Sequence, residues 1–477
     1  MIKQKIANFW LYKQRYRLAY GFLILSFISI LAFSIFVAPR GLTEAEISFS
    51  VASHNLEIEN LFSSNIINLP FKILQKLSIG IFGLSEISVK LPAILLSFLA
   101  IFLIVKLSHA WFGRGIATIT AILATASGQF FFISQSGTAE ILQVIYPLAL
   151  ILLGFDFVRK RSRATLLAIA AILGLMIYSP LGIFMLVATT LALFAHPGLR
   201  LTLRKIARKD KILTGAVFLI VITPTLISIW RDGSTLGAIF GWAENFNFSK
   251  NFQLLFSRLF SFENAISGGV ILPIVSLPTL ILIAIGIFFT LQSRHTPKSY
   301  LLYIWLMILL VACMINPDFT VILFVPILLL TSTGIYSLIQ TWYTIFPKNP
   351  YARVFGLIPI SVFLGGFLLA NLDNFRLNYL HSPEVSAKFN QDLHILQENL
   401  GDRKSVNLMI SAQEKPFYKI LEKQNKAKIV DNFRENEIFV SNKALKTTDT
   451  PKGYQISRIL TSSKISDAAR FYILKKL

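Results

Sequence analysis

LAYGFLILSFISILAFSIFVAPRGLTEAEIS, residues 18–48, is the stretch from which the rest of the chain is read. Its first part, Leu18 to Ala38, is an uncharged apolar run of 21 residues. At 1.5 Å per residue that is long enough to cross a hydrocarbon layer about 30 Å thick. Lys3, Lys5, Lys13, Arg15 and Arg17 precede it with no acid among them, which places the N-terminus in the cytoplasm. The run exceeds the roughly 7 to 15 residues of a signal-peptide core and ends in Val37-Ala38-Pro39-Arg40, so it reads as a retained first helix. The second part, Gly41-Leu42-Thr43-Glu44-Ala45-Glu46-Ile47-Ser48, then opens an extracytoplasmic loop with two acids.

The whole composition agrees with that start. The 477 residues are 54% hydrophobic and 15% charged, with a mean hydropathy of +0.64, against about 25% charge in a soluble domain. Ten further apolar runs lie near 91–107, 115–133, 141–157, 164–180, 181–195, 212–230, 270–291, 300–315, 319–339 and 355–372. The sequence therefore predicts a mainly α, polytopic membrane helix bundle of about 11 transmembrane helices. Alternate loops carry Lys106 and Arg114, then Arg159, Lys160, Arg161 and Arg163, then Arg200, Arg204, Lys205, Arg208, Lys209 and Lys211, while the loops between them near 134–140, 178–182 and 316–318 carry no Lys or Arg. This bias orients the bundle and leaves two long loops, 39–90 and 231–268, on the extracytoplasmic side. The net charge of +22 is thus topogenic and not a nucleic-acid footprint.

Residues 1–375 read as the membrane part and 376–477 as a small extracytoplasmic soluble α/β domain. Strand-like runs at 406–410, 428–430 and 437–440 alternate there with helical patterns at 384–400, 415–425 and 466–476. Cys313 is the lone cysteine, so no disulfide or Cys-rich zinc site forms within the chain, and it sits in an apolar run as a core residue. No span carries a charge or histidine in its middle third, which argues against an ion-coupled transporter. Any chemistry belongs at the outer surface.

Glu44 and Glu46, at i and i+2, can hold a general base or a divalent ion there, with His54 as a further ligand, although a solvated helix start fits the spacing as well. The surrounding order adds to this. Asn68-Leu69-Pro70-Phe71 follows, then Phe82-Gly83-Leu84-Ser85-Glu86-Ile87-Ser88-Val89-Lys90-Leu91-Pro92, then Trp111-Phe112-Gly113-Arg114 and Ser134-Gln135-Ser136-Gly137-Thr138-Ala139-Glu140. That order resembles the polyprenyl-phosphate-sugar-dependent transferases of the GT-C fold, the protein O-mannosyltransferases and lipid A aminoarabinose transferases. In that family the loop reads Asp-Glu-Ala-x-Tyr, then a basic residue with Pro-Pro-Leu, then Phe-Gly-x-Ser-Glu-x-x-x-Arg-Leu-Pro. The likeness is clear over residues 20–195 and architectural beyond them.

The resemblance implies a membrane glycosyltransferase acting at the extracytoplasmic face of a cell membrane. It would transfer a sugar, with inversion, from a polyprenyl-phosphate donor to a protein, lipid or polysaccharide acceptor. A loop carboxylate would serve as base and a cation would steady the leaving phosphate. The departures are specific: Thr43 stands where the family has its first acid, Asn68 replaces the basic residue, Leu69 the first proline, Lys90 an arginine and Gln135 an arginine. Glu44, Glu46 and Glu140 remain as candidate bases. Lys72, Lys76, Lys90, Arg231 and Arg258 are candidate phosphate ligands, with Lys72 and Arg231 preferred. The aromatics Trp242, Phe246, Phe248, Phe252, Phe256 and Phe260 fit a membrane belt or a sugar and acyl-chain groove. No cofactor is assigned beyond the lipid-linked sugar donor as co-substrate, a divalent cation is an open possibility, and membrane lipids are the standing partners. The alternative reading is a non-catalytic membrane protein that binds lipid-linked glycans or scaffolds envelope assembly.

Overall fold

The structure, a computed structural model, describes residues 10–36, 41–57, 66–242, 246–260, 266–267, 269–270, 275, 277–374, 385, 388–400, 405–447, 453–461 and 470–477. Every apolar run of the sequence carries a helix within them. Seven helices are long and apolar enough to cross a membrane, from Lys13–Phe36 through Glu86–Phe112, Glu140–Lys160, Arg208–Arg231, Pro297–Ile315 and Pro317–Ile345 to Tyr351–Asp373. Two more runs are broken helices: Arg114–Ala126 meets Gly128–Gln135 at 66°, and Gly182–Ala195 meets Pro197–Arg204 at 92°. The second break falls where Pro197 removes a backbone donor and His196 takes the N-cap, its ring accepting from the Leu199 N–H at 3.2 Å. Arg163–Met176 and Thr279–Gln292 are shorter. Among the described residues the expected eleven are therefore seven full-length spans, nine with the bent pairs, and two short helices.

Burial sorts the spans. Pro317–Ile345 is 83% buried over its apolar window, whereas Tyr351–Asp373 has no fully buried residue in its window and lies at the periphery, with Ile360, Phe363, Leu364 and Phe367 packed against the core. Helices Leu277–Gln292 and Phe324–Ile345 cross at Gly286 and Gly334; a Cβ on either would stand 2.1 Å from a carbonyl oxygen of the other helix. Such small-residue contacts bring helices together where lipid provides no hydrophobic drive.

Beyond the bundle lie two-residue strands β1 (Leu42–Thr43), β2 (Ile266–Ser267), β3 (Gly269–Val270) and β4 (Phe389–Asn390), then β5 (Val406–Met409), β6 (Ala427–Ile429), β7 (Glu437–Ser441), β8 (Tyr454–Thr461) and β9 (Arg470–Lys476). The last five form one sheet in the order β6-β5-β7-β9-β8, with β5 parallel to β6 and β7 and the other pairs antiparallel. Helices Asp392–Leu400, Lys415–Lys423 and Asn442–Thr447 accompany it. Residues 470–476, which the sequence pattern reads as helix, are β9, because Phe471, Tyr472, Ile473 and Leu474 fill the ladder between β7 and β8 and bury Phe471 and Leu474 fully. Likewise Phe389 and Asn390, inside the expected 384–400 helix, pair with Leu42 and Thr43 across β1 and β4.

That pairing docks the sheet region on the first loop. Helices Glu44–His54 and Leu69–Phe82 lie between bundle and sheet, and Leu42, Ile79, Leu84 and Val89 share one apolar cluster with Leu393, Leu396, Phe417 and Leu421. The Leu84 backbone is held on both sides: its N–H donates to Gln424 Oε1 at 3.0 Å, and its carbonyl accepts from Gln397 Nε2 at 2.7 Å.

Candidate active site

The site begins at Gly41. Its φ of +114° and a built Cβ only 2.5 Å from the Asn390 carbonyl oxygen leave room for glycine alone beside β4. Thr43 then caps helix Glu44–His54 in a capping box: its Oγ1 accepts from the Glu46 N–H at 3.2 Å, and its own N–H donates to Glu46 Oε2 at 2.8 Å. Two residues on a helix are about 200° apart, so the paired acids part company. Glu44 is exposed and Glu46 is buried.

The other Glu46 oxygen, Oε1, accepts from the Gly137 N–H at 2.6 Å. The Gly137 carbonyl in turn accepts from Gln75 Nε2 at 2.8 Å. Gln75 also donates to the Val89 carbonyl at 2.9 Å and accepts from Ser53 Oγ at 2.7 Å. A Cβ at Gly137 would lie 2.7 Å from Val89 Cγ1, so the turn closes only on glycine. This turn delivers Glu140, half-buried as the first residue of helix Glu140–Lys160 and within electrostatic reach of Glu46 and Asp318.

Asp318 opens the 3-10 helix Pro317–Leu323, whose first turn Asn316 caps by accepting from the Asp318 N–H at 3.0 Å. Arg258, on helix Phe248–Phe260, places Nη2 2.6 Å from Asp318 Oδ1. The guanidinium is 6% exposed, and its Nη1 is buried with no hydrogen-bond partner among the described residues. Its helix is pinned by Asn251, whose Nδ2 donates to the Met314 and Ile315 carbonyls, each at 3.0 Å. Asp318 is thus the common neighbour, paired with Arg258 and within electrostatic reach of Glu140.

The other cations are placed differently. Lys72 is buried over the Phe49 ring at 5.7 Å, and burial lowers its ammonium to about 8. Lys90 is buried and donates to the Gly41 carbonyl at 2.9 Å, with Nζ 5.5 Å from the Phe389 ring centre, so it fastens the β1 turn. Lys76 donates to the Leu56 carbonyl. Arg231 is exposed at the end of helix Arg208–Arg231, where a cation complements the helix dipole. Trp242, Phe246, Phe248, Phe252 and Phe256 are exposed.

Residues 70–230 match the family model described as dolichyl-phosphate-mannose-protein mannosyltransferase. Over 95% of this chain and 98% of the other, the structure is similar to ArnT from Cupriavidus metallidurans bound to undecaprenyl phosphate, with a TM-score of 0.52 at 15% identity. The apo state of that ArnT gives 0.50 at 17% identity over 96% and 98%. The apo oligosaccharyltransferase from Archaeoglobus fulgidus gives 0.51 at 12% identity, covering 88% of this chain and 65% of that one. The fold is that of the GT-C glycosyltransferases. No curated protein matches the sequence.

Within the GT-C fold the residues nominated from sequence divide into two sets. Glu140 and Arg258 share Asp318 as a neighbour, whereas Glu46 is spent on the Thr43 and Gly137 N–H groups and Lys90 on the Gly41 carbonyl. Asp318 escaped sequence reading because its loop carries no base, and nothing local distinguishes it from a helix-start acid. Gln75 escaped because one amide in an amphipathic run reads as surface. As for a metal, Glu44 is exposed while Glu46 is buried with both oxygens engaged, and Lys423 and Lys76 near His54 oppose a cation there. Among the described residues no three of His, Cys, Asp and Glu converge as a ligand set. These donors do not fit a divalent ion.

Proposed function

We propose that this protein is a membrane glycosyltransferase that takes a sugar from a polyprenyl-phosphate donor and passes it to a hydroxyl acceptor at the extracytoplasmic face. The observation that carries the reading is the buried Arg258 guanidinium, anchored by Asp318 with Nη1 left over, while Glu140 lies within electrostatic reach of the same Asp318. ArnT, whose structure holds undecaprenyl phosphate, lends the donor class by likeness of fold. Glu140 accepts the proton of the acceptor hydroxyl as its oxygen attacks the anomeric carbon. The anomeric C–O bond to phosphate breaks, and Arg258 receives charge on the departing phosphate, a fixed cation needing no reorganisation as the charge develops. Attack opposite the leaving group inverts the centre. Lys72 stands by as a second cation whose charge depends on pH near 8.

In this reading the N-terminus is cytoplasmic, following the loop charges, and residues 376–477 form the extracytoplasmic domain over the acceptor side. Sugar and acceptor follow from assay. Purified protein in nanodiscs, incubated with a panel of radiolabelled undecaprenyl-phosphate-linked sugars and a cell-envelope extract as the source of acceptor hydroxyls, is expected to release undecaprenyl phosphate from one of them. A chain that binds such lipids without releasing the phosphate supports the second reading, a non-catalytic glycan-lipid binder. That reading draws on Thr43, which serves as an N-cap where the family carries its first acid.

A further inference from the structure

Among the features that proton transfer and phosphate binding leave unused, the contacts around Gly137 go furthest. Both backbone polar groups of this one residue are taken by side chains from two different helices, Glu46 at 2.6 Å and Gln75 at 2.8 Å. Three residues later the chain reaches Glu140. A carboxylate accepting a buried N–H makes a charge-assisted bond, shorter and about twice as strong as a neutral one. Its second oxygen is fixed by the Thr43 N–H and hydroxyl, at 2.8 and 3.1 Å. Thr43 is half of β1, and β1 is held by β4 of the sheet region, with Thr43 opposite Phe389 and Leu42 opposite Asn390. Lys90 closes the same turn, donating to Gly41 while lying over the Phe389 ring.

We infer that Glu46 is a positioning residue that transmits the docking of the C-terminal sheet region, through β4, β1 and Gly137, to the placement of Glu140. This rests on the proposed role of Glu140 and extends it. The sheet region then acts on the site at a distance, because the first loop, clamped from one side by β4, holds the turn that aims the base. Buried hydrogen-bonded contacts of this kind carry position because each has one arrangement that satisfies all its groups. The chain of contacts also explains why Glu46, an acid beside the family's acidic motif, is buried instead of facing substrate.

Two variants of the full chain in nanodiscs test it. Glu46→Asp keeps an acid at the third helical position for capping but shortens the arm to Gly137. Gly41→Ala leaves the Glu46, Gln75 and Glu140 side chains in place, yet its Cβ would press on the Asn390 carbonyl and part β1 from β4. Both are expected to speed amide hydrogen exchange over 136–140 by about tenfold or more, with the interior helix Phe324–Ile345 unchanged. With an active donor, Glu46→Asp is expected to lower kcat about 100-fold while the donor KM stays within about threefold, as misplacement of a reacting group does. Unchanged exchange over 136–140 in Glu46→Asp overturns the clamp, and unchanged kcat alongside faster exchange overturns its link to Glu140. If the wild-type chain releases no lipid phosphate, the transferase reading fails, and the exchange measurements still decide the clamp. Should Gly41→Ala fail to fold, Glu46→Asp alone carries both measurements.

Discussion

Arg258 Nη2 and Asp318 Oδ1 stand 2.6 Å apart with very different exposures, 6% for the arginine and 65% for the aspartate. The cation is sunk in the protein and its counter-ion is at the rim, so the pair presents positive charge inward. Asp318→Asn leaves a buried guanidinium without its anion, at a cost of roughly 1–3 kcal/mol, tempered by the exposure of Asp318. Thermal unfolding in nanodiscs checks this. Arg258→Lys is expected to lower phosphate release about 100-fold without unfolding the chain, because an ammonium cannot bridge Asp318 and a phosphate as a planar fork does. Activity within a few-fold of wild type in that variant removes Arg258 from the site.

Glu140→Gln keeps shape and removes the base, so turnover should fall by a factor of about 10² to 10⁴. Glu44→Gln, altering the exposed acid on the far side of its helix, should leave turnover within about threefold. The reverse order of effects would move the base to Glu44.

The sheet region contains a group that titrates where few carboxyls do. Burial and the neighbouring Glu414 raise Asp392 to about 7 from 3.8. The folded chain therefore holds more protons at this position than the unfolded chain between about pH 4 and 7. Its contribution to stability is largest at the acid end of that window and declines as pH rises through 7. Asp392→Asn, which stays neutral, should flatten the fall of the thermal midpoint between about pH 4 and 7. His54, with its lowered pKa, slopes the opposite way and is common to both chains, so the difference between them isolates Asp392. An identical slope in variant and wild type refutes the assignment.

Gly286 and Gly334 face each other closely enough that a methyl on either meets a backbone carbonyl of the other helix at 2.1 Å. Gly334→Ala should force helices Leu277–Gln292 and Phe324–Ile345 apart and cost about 1–3 kcal/mol. Gly365→Ala, which meets nothing within 4 Å, is the matched control. Equal thermal midpoints for the two variants would contradict the close crossing.

Much of the architecture is legible in the chain itself, since a helix that crosses lipid must be a long apolar run and nothing tertiary is needed to recognise one. The Phe-Gly-x-Ser-Glu motif and the acids around residue 44 likewise carry the GT-C likeness in plain order. Strands are harder: residues 470–476 become β9 because two neighbours pair with them, and no local pattern states which neighbours those are. The bend at Ser127 lies at a polar position inside the run 115–133, which hydropathy treats as continuous, whereas the bend at His196 falls where the run 181–195 ends.

What the sequence by itself determined is the membrane bundle, the family likeness and the short roster of charges from which a site can be built, because scarcity in an apolar chain makes each charge conspicuous. What only the tertiary structure decided is the use of each one. Glu44 and Glu46 are two letters apart, but helical geometry turns one to solvent and buries the other against Gly137. Lys90 and Arg258 are both buried cations, yet one meets a backbone carbonyl and the other keeps a donor unspent. A side chain's role depends on which groups remain unsatisfied around it, and those groups come from helices, turns and strands as far apart in sequence as Gly41 and Asn390.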